Sequence, residues 1–115
     1  MIFIIDDDEI MAECVAGYCG NKEVKIFSNG IEAMAAIDDE LPELIFLDIM
    51  LDGPNGFTFL NELVSYDDTA NIPIIIMSSL NLKNINLEDY NVKGILNKDT
   101  MTPREVKQYV NEFCA

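Results

Sequence analysis

Apolar residues recur along this chain in two alternating arrangements: short unbroken runs rich in β-branched side chains, and longer stretches where they return every three or four positions. Ile2 to Ile5 reads as a first strand. Ile10, Met11, Cys14, Val15 and Tyr18 then give a helix one buried face, and Gly20 ends it. Val24 to Phe27 is a second strand. Asn29 and Glu32 have the spacing of a capping box for a helix carried by Ile31, Met34, Ala35 and Ile37.

Leu44-Ile45-Phe46-Leu47 is uniformly apolar, as a parallel strand covered on both faces must be, and it ends at Asp48. Gly53-Pro54-Asn55-Gly56 supplies a turn. Phe57, Leu60, Leu63 and Val64 carry a third helix, closed by the polar residues 67–71. Pro73 opens a fourth strand, Ile74-Ile75-Ile76-Met77, where a missing ladder donor is tolerated. Residues 80–92 predict only a short or distorted helix, because Asn81, Asn84, Asn86 and Asn91 disfavour helix and only Leu82, Ile85 and Leu87 offer a face. Residues 93–96 form a fifth strand. Thr102-Pro103-Arg104-Glu105 combines a capping hydroxyl, a first-turn proline and an N3 glutamate, and Val106, Tyr109, Val110 and Phe113 face inward from the helix it starts.

Strict alternation of five strands with five helices predicts an α/β fold: a doubly wound five-stranded parallel sheet, flavodoxin-like order 2-1-3-4-5, with helices on both faces. At 115 residues, half of them apolar, a single domain spanning 1–115 is expected, with no output domain. In such a sheet functional groups collect at the carboxyl ends of the strands. There stand Asp6 and Asp7, then Asp48, then Ser78 and Ser79, and Lys98 just past the last strand.

Composition narrows the chemistry. Seven Lys and Arg against 21 Asp and Glu leave a formal charge of −14, which repels a phosphate backbone and argues against nucleic-acid binding. Histidine is absent, so imidazole-based hydrolysis and most zinc sites are excluded. Cys14, Cys19 and Cys114 are odd in number and lack C-x-x-C pairing, which fits reduced thiols and a cytoplasmic location. The opening apolar run is too short for a signal peptide or membrane span. Charge is also uneven: of the basic residues all but Lys22 and Lys25 lie after residue 82, where only Glu88, Asp89, Asp99, Glu105 and Glu112 oppose them. That near-neutral end is a candidate surface for a partner or a second copy.

If the first and third strands are neighbours, Asp6, Asp7 and Asp48 converge, and such carboxylates repel unless they share a cation. Hard oxygen donors favour Mg²⁺ or Mn²⁺. Ser78 can donate to a phosphoryl oxygen and Lys98 offers a compact positive charge, so the set suits in-line phosphoryl transfer to an aspartate. Each residue alone has a plainer reading: Asp8 and Glu9 as an acidic first turn of a helix, Asp48 as a cap, Ser78 as a satisfied core hydroxyl, Lys98 as a solvated charge.

Taken in order, these residues resemble the receiver domain of two-component response regulators over essentially the full length. The resemblance implies that Asp6 and Asp7 are the acidic pair, that Asp7, Asp48 and the Met50 backbone carbonyl are metal ligands, and that Asp48 is the phosphoacceptor. It makes Ser78 the switch hydroxyl and Lys98 the lysine that contacts the phosphoryl group. It further implies a cytoplasmic signalling protein that takes its phosphoryl group from a histidine kinase or phosphotransfer protein and acts through a protein partner. As monomer or phosphorylation-dependent dimer, it would not be an enzyme beyond catalysing its own phosphorylation from small donors and its own dephosphorylation.

The chain departs from the family pattern at several positions. Ile95 stands where an aromatic switch residue is usual, and Asp99 replaces a proline, removing an easy cis bond. Asp52 replaces another frequent proline and Ser79 a frequent alanine. Met50 and Leu80 are apolar where some members position hydrolytic water, which suggests a shielded aspartyl phosphate. Two other readings compete: a receiver-like interaction module without phosphorylation, and a small haloacid-dehalogenase-type phosphatase using Asp6 of Asp6-x-Asp8 as nucleophile.

Overall fold

The computed structural model describes residues 1–50, 56–80, 82 and 85–114. In chain order it contains β1 (Ile2–Ile5), α1 (Glu9–Tyr18), β2 (Val24–Phe27), α2 (Gly30–Asp39), β3 (Leu44–Asp48), α3 (Gly56–Val64), β4 (Ile74–Ser78), β5 (Val92–Asn97) and α4 (Pro103–Phe113). The five strands pair in parallel in the order β2-β1-β3-β4-β5, as the alternating pattern predicts. β1, β3 and β4 are central and buried along their whole length, which is why they are unbroken apolar runs. The edge strands β2 and β5 are partly exposed, and β5 alternates along most of its length.

The sheet separates two apolar layers. Phe3, Ile5, Ile45, Leu47, Ile74 and Ile76 pack under α2 and α3. Ile2, Ile4, Phe46, Ile75 and Met77 pack under α1 and α4. Caps form at Asn29 and Thr102, where the sequence places them, and also at Asp8, which the sequence pattern places inside the first turn. Asp8 accepts from the Met11 amide at 3.1 Å, Asn29 accepts from the Glu32 amide at 2.9 Å, and Thr102 and Glu105 make the full reciprocal box. At Asn29 only that half of the predicted box forms among the described residues.

Two expectations are corrected. The faces of α1, α2 and α3 differ in part from those read in the sequence: Val15, Ile37, Leu60 and Leu63 are buried as expected, but Ile10 and Ile31 are 77% and 65% exposed, Cys14, Ala35 and Val64 are also on the outside, and Ala12, Ala33 and Phe59 are buried in addition. Small alanines let the helix backbones lie close to the sheet, while a bulky residue in a first turn overhangs its rim. Residues 85–91 form bends and turns rather than a distorted helix: Asn86 accepts from the Glu88 amide at 2.9 Å, and the Tyr90 amide donates to the Leu87 carbonyl at 3.1 Å. Four helices therefore stand among the described residues, not five. The predicted turn at 53–55, and Asp52, Asn81 and Asn84, lie outside the described residues. No helix among the described residues is long and apolar enough to cross a membrane.

Candidate functional site

Strand pairing builds the site. Ile5 lies opposite Leu47 on β3, so Asp6 and Asp48, each one residue further on, leave adjacent strands at the same level. Asp48 in turn lies opposite Met77, and Ser78 opposite Asn97, which carries Lys98 to the same rim. The Lys98 amide donates to the Ser78 carbonyl at 3.0 Å and fixes that junction. Oxygens of Asp6, Asp7 and Asp48 all fall within 4.8 Å of one another.

Asp6, Asp48 and Ser78 are almost fully buried; Asp7 is exposed. Backbone amides orient the carboxylates: Asp8 N–H donates to Asp6 Oδ1 at 2.9 Å, and Met50 N–H donates to Asp48 Oδ1 at 3.0 Å. Lys98 Nζ bridges the pair, 3.0 Å from Asp6 Oδ2 and donating to Asp48 Oδ2 at 3.2 Å. Its contact with Asp6 is an ion pair without hydrogen-bond geometry, so Asp6 Oδ2 is a buried oxygen with no hydrogen bond. Burial pushes the Asp6 carboxyl up from 3.8 to about 6, against the Asp8 amide and Lys98, with Asp48 adding to the rise. For Lys98, burial works to lower the pKa, but Asp6 and Asp48 outweigh it and the net direction is up.

This donor set fits a hard divalent cation: three carboxylates in reach, one exposed to the mouth, and a buried oxygen lacking a hydrogen bond. Ser78 Oγ accepts from the Leu80 amide at 2.9 Å, so its proton is available to donate. The Met50 and Leu80 side chains are 59% and 53% exposed at the rim, while their amides turn inward to Asp48 and Ser78. Ile95 lies on β5 opposite Ile76, 46% exposed. The Lys98–Asp99 bond is trans. Sequence reading missed these inward amides, because any residue but proline supplies an N–H.

A sequence profile of the response regulator receiver domain matches residues 2–111. The chain belongs to the response regulator receiver family. Among its relatives is the DNA-binding dual master transcriptional regulator RpaA of Synechocystis, 35% identical over 85 residues, which are 69% of this chain and 34% of RpaA. The chain thus matches about a third of that relative's length. The receiver domain of NtrX from Brucella abortus superposes with a TM-score of 0.85 at 22% identity, covering 97% of this chain and 96% of that one. The Mn²⁺-bound form of the response regulator Rcp1 superposes with a TM-score of 0.75 at 20% identity, over 96% of this chain and 88% of that one. Receiver domains act in two-component signalling, where they meet histidine kinases or phosphotransfer proteins and hold a divalent metal in an acidic pocket.

Proposed function

We propose that this receiver acts as a cytoplasmic signalling domain, accepting a phosphoryl group on Asp48 and signalling through protein contact. An Asp48 carboxylate oxygen attacks phosphorus, the bond from phosphorus to the donor nitrogen of a phosphohistidine breaks, and an aspartyl phosphate results. These 115 residues contain no histidine, so the phosphohistidine lies outside them. Asp6, Asp7, Asp48 and the Met50 carbonyl would hold Mg²⁺ or Mn²⁺, which would supply charge neutralisation for the phosphoryl oxygens. Lys98 stabilises the charge from the β5 side, and Ser78 donates to a phosphoryl oxygen once Asp48 is modified.

One observation carries this reading: Lys98 spans Asp6 and Asp48 in a pocket where three carboxylates lie within 4.8 Å. Incubation with Mg²⁺ and acetyl phosphate followed by intact mass tests it. A single phosphoryl adduct is expected on the parent and none on Asp48→Asn; an undiminished adduct on the variant, or borohydride trapping at Asp6, overturns it.

A further inference from the structure

At the end of the sheet away from Asp48, the chain leaves α2 toward β3 and leaves α3 toward β4, and between these two exits lies a groove of about 500 Å³. Leu41 and Tyr66 stand at it, 48% and 58% exposed, with the flanks of Met34 and Ile37 beneath. Tyr66 is held in place from behind: the Ala70 amide donates to its carbonyl at 2.9 Å, and the buried Thr69 hydroxyl donates to the carbonyls of Leu63 and Tyr66. The backbone that presents the ring is therefore ordered before anything docks on it.

Charge then selects the occupant. Asp38, Asp39, Glu62 and Asp68 line the same groove, and among the described residues none of them has an ion-pair partner. Glu40 alone is paired, with Lys25 at 3.8 Å. The groove is far larger than the roughly 30 Å³ share of a water molecule, so a bare cation would leave Leu41 and Tyr66 uncovered. A second copy of this chain would bring a further net −14 to the contact.

We propose that this groove docks a basic peptide segment of a partner protein, with an aliphatic or aromatic side chain seated between Leu41 and Tyr66 and flanking lysines or arginines against the four carboxylates. Because the groove lies at the opposite end of the strands from Asp48, the segment can stay bound whether or not Asp48 is phosphorylated. The partner is thereby tethered, not switched, by this contact.

The test titrates the full chain with a short synthetic peptide carrying leucine and tryptophan between lysines and arginines, following amide chemical shifts. Shifts are expected at residues 34–41 and 62–69, with binding weakened at least about tenfold by Tyr66→Ala and by the pair Glu62→Lys and Asp68→Lys, and reduced by salt. Acetyl phosphate labelling of Asp48 in the same variants is expected to be unchanged, which separates this contact from the phosphoryl chemistry. Three results overturn the proposal: no shifts at those residues, spermine competing as well as the peptide with Tyr66→Ala having no effect, or self-association through this face in sedimentation.

Discussion

Asp6 is where burial and charge oppose each other most directly. Its carboxyl sits at about 6 in the folded chain against 3.8 ordinarily, so between those values the native state holds a proton that the unfolded chain has released. Stability from this group is therefore present at acid pH and lost as pH rises through that window. Denaturant melts of the metal-free protein at about pH 4 and about pH 7 should show the parent losing more stability across the interval than Asp6→Asn. Equal losses would mean that the strain lies elsewhere. Lys98 acts with the same sign in a higher window: its raised pKa keeps its bridge to Asp6 and Asp48 in place below its ordinary 10.5, and that contribution fades as pH climbs through the folded value.

The rim residues raise a kinetic question on the same scale. Met50 and Leu80 direct their amides to Asp48 and Ser78 and leave apolar side chains at the mouth, where they offer water no hydrogen bond on its way to an aspartyl phosphate. Met50→Asn combined with Leu80→Glu should release phosphate faster than the parent after acetyl phosphate labelling. Indistinguishable rates would dismiss any shielding.

Among elements, β5 depends on its lack of a side chain at one position. A Cβ on Gly94 would collide with the Tyr109 ring, its Cε1 at 2.8 Å and its hydroxyl nearer still, so the ring lies over β5 in this position only because residue 94 is glycine. Gly94→Ala should destabilise the fold by about 1–3 kcal/mol through overpacking, and Tyr109→Leu added to it should recover part of that loss, giving a non-additive cycle. Additive losses would show that the two residues do not compete for space.

The same elements show what a sequence can convey. β1, β3 and β4 were readable because a strand covered on both faces has no freedom to be polar, and the site was readable because Asp6, Asp48 and Ser78 sit where those runs stop. Helix faces were harder. Ala12 and Ala33 carry too little apolar signal to outweigh Ile10 and Ile31, yet both are fully buried, beside Val15 and Ile37 on the same helices. Residues 85–91 were ambiguous for a related reason: Leu82 and Leu87 pack inward and offer an apolar face, but Asn86 bonds the backbone into a turn.

For the whole molecule, a formal charge of −14 makes folding without counter-ions costly, and nonspecific salt and a specific divalent ion relieve that cost differently. Sodium chloride screens all the carboxylates together, whereas a site ion acts where Asp6, Asp7 and Asp48 meet within 4.8 Å. A ligand that binds only the folded state stabilises it by about 2.7 kcal/mol at a concentration a hundredfold above its dissociation constant. Melting in Mg²⁺ should therefore exceed melting in sodium chloride of matched ionic strength. Asp7 is the discriminating position because it is exposed, so Asp7→Ala removes a ligand while leaving the apolar layers untouched. The variant should melt close to the parent in sodium chloride and lose most of the extra increment in Mg²⁺. If parent and variant gain equally from Mg²⁺, the ion is acting as diffuse counter-charge and the three aspartates do not form its site.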